Sequence, residues 1–80
     1  MLVKTGPNAV KSSEGYQVAI VKRFELSYED EFGKRTVPIE PMADGELVVS
    51  VSSAEGERRA VLSARISEAL DYLGIRHRLD

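Results

Sequence analysis

Eighty residues suffice for one compact domain and are too few for two cores, because a chain this short hides only about 60% of the surface its unfolded form exposes. At 42% hydrophobic and 30% charged, the composition excludes the regime of low hydrophobicity and high charge in which chains stay disordered. The absence of cysteine excludes disulfides and thiolate metal sites, and a formal net charge of −2 argues against sequence-independent nucleic-acid binding, which depends on Lys and Arg displacing phosphate counterions.

The chain opens Met1-Leu2-Val3-Lys4-Thr5-Gly6-Pro7, which lacks the apolar core of a signal peptide. No apolar run approaches the roughly 20 residues of a membrane span, so a cytoplasmic location is expected. Gly, Pro, Asn and Ser then crowd residues 5–15, and residues 1–14 are expected to form a loose N-terminal segment ahead of a single α+β domain over 15–80.

From Tyr16 the pattern is that of a strand. Tyr16, Val18, Ile20, Phe24, Leu26 and Tyr28 fall on even positions with Gln17, Arg23, Glu25, Ser27 and Glu29 between them, a period of two. Lys22 and Val21 break the alternation, which fits either one long strand or two strands meeting near Lys22-Arg23, and a single strand bent or bulged there is preferred. Glu29-Asp30-Glu31-Phe32-Gly33-Lys34 supplies the acids and glycine of a hairpin loop. The returning strand, Arg35 to Pro41, contains Pro38 and Pro41, which cannot donate to a ladder, so it is expected at a sheet edge or to end early.

Ala43-Asp44-Gly45 reads as a second tight turn, followed by a strand over Glu46–Ser53 with Leu47, Val49 and Val51 on one face. Ser52-Ser53-Ala54-Glu55 matches a capping box, but Gly56 weakens a helix begun there, so the helix is expected to start near Glu57. Leu62, Ile66, Leu70 and Leu73, with Ala69, share one helical stripe, and Gly74 closes it. Ile75 to Asp80 alternates again and suits a short closing strand. The expected fold is α+β: an antiparallel meander of three to four strands with one C-terminal helix packed on one face.

Little here carries chemistry. His77, the one histidine, stands between Arg76 and Arg78 and reads as facing solvent, without a link to a nucleophile. One His without Cys excludes the usual zinc sets, and the scattered glycines form no phosphate cradle. No cofactor, metal or catalytic residue is expected, and an enzyme built on Tyr28, His77 and carboxylates is the least favoured reading. Arg65 and Glu68, three apart, are expected to pair locally on a solvated helix face.

The distinctive charge feature is Glu25, Glu29, Asp30 and Glu31, four acids within seven residues free of Lys and Arg. Residues 1–56 hold nine acids against six Lys and Arg, whereas 57–80 hold four acids against five Arg, so the acidic excess belongs to the first part. Its plain reading is a solvated hairpin protecting a sheet edge. Its functional reading is a docking surface for a basic protein, such as a nucleic-acid-cleaving toxin domain, with Tyr28 and Phe32 as aromatic anchors among Glu25, Glu29, Asp30 and Glu31. Val21, Val48 and the outer sheet face offer the alternative: a homodimer surface of a small structural or assembly subunit, as in a phage or mobile element.

Over residues 16–75 the pattern resembles one family of small immunity proteins from bacterial polymorphic toxin systems. The likeness rests on Tyr28 before an acidic turn, Gly33, Val37-Pro38-Ile39-Glu40, and a helix ending Leu70-Asp71-Tyr72-Leu73-Gly74. It implies a non-enzymatic cytoplasmic protein that binds and neutralises a toxin made by the same cell, and it brings no catalytic residues.

Overall fold

The computed structural model describes residues 1–51 and 56–80, with Glu57 described through its backbone alone. Among the described residues it is an α+β fold of seven strands and one helix. The strands are β1 (Leu2–Gly6), β2 (Ala9–Ser12), β3 (Gln17–Lys22), β4 (Glu25–Asp30), β5 (Gly33–Pro41), β6 (Leu47–Val49) and β7 (His77–Leu79), and the helix α1 (Gly56–Tyr72) lies between the last two. Their order in the sheet is their order in the chain.

The N-terminal segment expected to be loose is instead a hairpin. Leu2 pairs with Ser12 and Lys4 with Val10, and the chain turns through Pro7 and Asn8. A second turn follows at Ser12, whose backbone amide donates to the Tyr16 carbonyl at 2.8 Å. The glycine, proline and serine that suggest irregular backbone thus occupy the turns between short strands, and Val10 and Ser12 bury between them.

Of the two readings of Tyr16–Glu29, the structure has the two strands meeting near Lys22-Arg23 and not the preferred single bent one. Arg23 and Phe24 form the turn between β3 and β4, and a register shift between Ile20 and Lys22 absorbs the mismatch. With neither glycine nor asparagine at the turn, the hairpin signal is missing from the residues. Phe24, expected on the apolar face, is pushed out into solvent.

Nor is β5 an edge. Residues 33–38 pair with β4 and residues 39–41 with β6, so each proline sits where a ladder ends: Pro38 closes the first and Pro41 the second. Their missing donors therefore cost no interior bond.

The turn at Ala43-Asp44-Gly45 is present, with Gly45 at φ +88 and its amide donating to the Met42 carbonyl at 3.0 Å. The capping box read at Ser52-Ser53-Ala54-Glu55 lies outside the described residues. After α1, Gly74 takes a φ of +74 and the Ile75 amide returns to the Leu70 carbonyl at 2.9 Å, the bond that reverses a helix end. The closing strand β7 then runs parallel to β6, the exception in an otherwise antiparallel sheet, because α1 carries the chain back across it.

One face of the sheet and one stripe of α1 make the core. Leu62, Ile66, Ala69 and Leu70 from the helix meet Val10, Val18, Leu26, Val37, Ile39, Leu47, Val49 and Val51 from the strands. Tyr16 and Tyr28 close the end of this core nearest the β4–β5 tip, and their rings stack at 6.2 Å with 22° between planes. Among the described residues no helix is long and apolar enough to cross a membrane.

Candidate functional site

The acidic hairpin splits into two sets of residues with different fates. Tyr28 and Asp30 are two apart on β4 and so point to the same side, toward the helix. Tyr28 is 1% exposed, and the Asp30 side chain is likewise 1% exposed. Neither is available to a partner.

Both are held by arginines from α1. Arg58 and Arg65 are seven residues apart, two helical turns, which sets them on one stripe facing the tip. Arg58 Nη2 donates to Asp30 Oδ2 at 3.0 Å, and Arg65 Nη1 donates to the Tyr28 hydroxyl at 2.9 Å and lies 3.5 Å from Asp30 Oδ2. The Tyr28 hydroxyl donates in turn to Asp30 Oδ2 at 2.9 Å. Arg65 also spans the Tyr16 ring at 5.0 Å from its centroid, and the Tyr16 hydroxyl donates to Glu68 Oε2 at 3.1 Å. The local Arg65 and Glu68 pairing expected on a solvated face is replaced by contacts from each to the sheet.

Electrostatics follow from this network. Burial alone would raise the Asp30 carboxyl, but donation from the Phe32 amide, the Tyr28 hydroxyl and Arg58 outweighs it, and Asp30 is held below the usual carboxylate range. Burial pushes the Tyr28 phenol up, the Arg65 bond pulls it back in part, and the bond to Asp30 raises it further. Burial and the bond to Glu68 raise Tyr16. Asp30 already accepts from several donors, so its lone pairs are committed to structure.

The other residues of the hairpin remain outside. Phe32 is 76% exposed at the tip. Its amide donates to Asp30 Oδ1 at 2.9 Å, an Asx turn, and the Arg58 guanidinium lies 4.9 Å from its ring centroid. Glu29 accepts from Gln17 Nε2 at 3.0 Å on the outer face, Glu25 pairs with Lys22 at 3.8 Å, and Glu31 stands 3.7 Å from Arg65 with half its side chain in solvent. Of the six residues expected to meet a partner, Phe32, Glu29, Glu31 and the half-covered Glu25 stay accessible, while Tyr28 and Asp30 are corrected to framework. Sequence reasoning placed Arg58, Arg65 and Glu68 on a solvated helix face and Tyr16 on the apolar face of a strand, and connected none of them to the tip; the seven-residue spacing of the two arginines was the signal present.

His77, expected to face solvent, is covered: 8% of its side chain is exposed. Its Nδ1 lies 3.0 Å from the Ile75 carbonyl, which places a proton on that nitrogen, and Nε2 accepts from the Ser67 hydroxyl at 2.8 Å. A strand only three residues long needs such a tie to the helix. Tyr28 meets Arg65 and His77 meets Ser67, about 200° further round the helix, so the fold does not bring Tyr28 and His77 together.

Open clefts border this region and the sheet. Tyr28, Phe32, Gly33, Lys34, Arg35 and Arg58 line one of about 270 Å³. A second of about 270 Å³ involves Glu29, Asp30 and Glu31 with Lys11, Gly15, Tyr16 and Gln17. A third, of about 200 Å³, lies on the outer face, where Ala9, Ala19 and Ser27 make a shallow floor beside Val21. Comparison with family models, curated proteins and solved structures found no match to this chain.

Proposed function

We propose that this chain is a non-enzymatic protein-binding module that docks a basic partner through the tip of the β4–β5 hairpin. The observation that carries the reading is Phe32: a large aromatic side chain three-quarters exposed, its backbone fixed by the Asx turn to Asp30 and its ring lying against Arg58. An anchor already ordered before binding loses little entropy on docking, and aromatic anchors tend to dominate interface energy. Glu29 and Glu31 beside it supply the field that steers a basic surface toward the tip. The pattern-level resemblance to small immunity proteins supports a toxin domain as that partner. The test is capture of a toxin-like partner from the producing cell by the tagged chain. Phe32→Ala is expected to weaken capture at least tenfold, and unchanged capture overturns the reading.

A second reading, self-association through the outer sheet face, is favoured by Val21, 56% exposed beside the floor of Ala9, Ala19 and Ser27. Sedimentation equilibrium separates the two. A Val21→Glu variant that turns a dimer into a monomer supports self-association, and a wild-type chain that is monomeric at all concentrations removes it.

A further inference from the structure

We infer that the cleft between the β5 end of the hairpin and the first turn of α1 is a binding site for a nucleotide unit, a phosphate group joined through a sugar to a flat aromatic base. Its cations are Arg35 and Arg58; Lys34 also borders it but is the register partner of Glu29 on the outer face. Arg58 is held by Asp30, and that single carboxylate is shared with Arg65, so the anionic charge within reach is already divided between two guanidinium groups. Arg35, the register partner of Tyr28, is exposed and makes no ion pair among the described residues. Glu29 and Glu31 line the neighbouring cleft and not this one. Among the described side chains a cationic excess is left facing an open, polar-walled space.

The geometry fits an oxyanion better than a carboxylate-free cavity needs. Two guanidinium groups converging on one space suit the oxygens of a phosphate, which arginine grips through paired donors. Arg58 also begins α1, whose N-terminal turn adds partial positive charge to the same corner. Phe32 walls the cleft and, with Arg58 stacked by its ring, offers a preformed platform for a planar group. A volume of about 270 Å³ limits the occupant to one nucleotide-sized unit. The inference shares Phe32 and Arg58 with the docking reading and departs from it in using Arg35 where docking uses Glu29 and Glu31, so Arg35→Gln separates the two.

The experiment is a titration of the full chain followed by amide NMR shifts, with inorganic phosphate, adenosine monophosphate and a short single-stranded oligoadenylate as probes and sodium chloride at matched ionic strength as control. Saturable shifts at Phe32, Gly33, Lys34 and Arg35 are expected, with the monophosphate binding more tightly than phosphate alone. Arg35→Gln is expected to weaken both about tenfold, and Phe32→Ala to bring the monophosphate down to the level of phosphate; both side chains are exposed, so the fold survives. Tighter binding of the oligonucleotide identifies a nucleic-acid strand as the source of the group, and equal or weaker binding identifies a free nucleotide. Absence of saturable shifts at these amides, shifts reproduced by chloride, or shifts indifferent to Arg35→Gln overturn the inference.

Discussion

Arg65 Nη1 lies 2.9 Å from the Tyr28 hydroxyl, and through this bond a residue in the middle of α1 closes the far end of the core against β4. The same guanidinium covers the Tyr16 ring and reaches toward Asp30 and Glu31. The helix is thus fastened to the hairpin tip by polar contacts where the apolar stripe of Leu62, Ile66, Ala69 and Leu70 runs out.

Asp30→Asn is expected to lower stability by about 2 kcal/mol in urea unfolding, since charge-assisted bonds of this kind contribute about 1.5–3 kcal/mol. Tyr28→Phe, which keeps the ring stack and removes only the hydroxyl, is expected to cost about 1 kcal/mol.

Acid weakens the same network. The Asp30 carboxyl titrates below its unfolded value of about 3.9, so its contribution is fully present above that pH and disappears as pH falls through the lower folded value. The stability gap between wild type and Asp30→Asn should therefore close on acidification below about pH 4, as read by urea midpoints across pH. A gap that stays constant to lower pH contradicts the account.

At the alkaline end Tyr16 and Tyr28 resist ionisation. Their folded values lie above the ordinary value of about 10, so the stability they confer is present below that pH and is lost as pH rises through the folded values. Phenolate absorbance should show the Tyr16 and Tyr28 phenols ionising late, together with unfolding. Tyr16→Phe and Tyr28→Phe should each remove one late-titrating group.

How far the sequence could be read depended on whether a signal was local. The helix stripe, the Gly74 stop and the alternation of Leu47, Val49 and Val51 are set by nearest neighbours and are found where the periodicity predicts them. The N-terminal hairpin was illegible because its strands are four and five residues long and bury little besides Val10 and Ser12. The Arg23-Phe24 turn was illegible because it lacks a turn residue. At the tip, the acids announced a charged hairpin, but which acids reach solvent was decided by Arg58 and Arg65, about 30 residues downstream. Burial of His77 likewise depends on Ser67, brought over it only once β7 has returned beside β6.

Ser67→Ala removes the donor to His77 Nε2 and should cost about 1 kcal/mol, concentrated in β7. Hydrogen exchange would show it as faster exchange at Arg78 and Asp80 with little change in β3 and β4. Uniform acceleration across the sheet would contradict a local tie.

Gly33 sits at φ +126 with open space where a Cβ would stand, so Gly33→Ala strains the backbone without a clash. The expected loss is about 1 kcal/mol by thermal unfolding, with the larger effect on the order of Phe32.

The most direct test of the docking claim is photo-cross-linking in the producing cell, with a benzophenone amino acid placed at position 32 in one variant and at position 21 in another. The account predicts one adduct, to a basic protein, formed from position 32 and absent from position 21. An adduct formed from position 21 alone, or a position 32 variant that yields none, would contradict it.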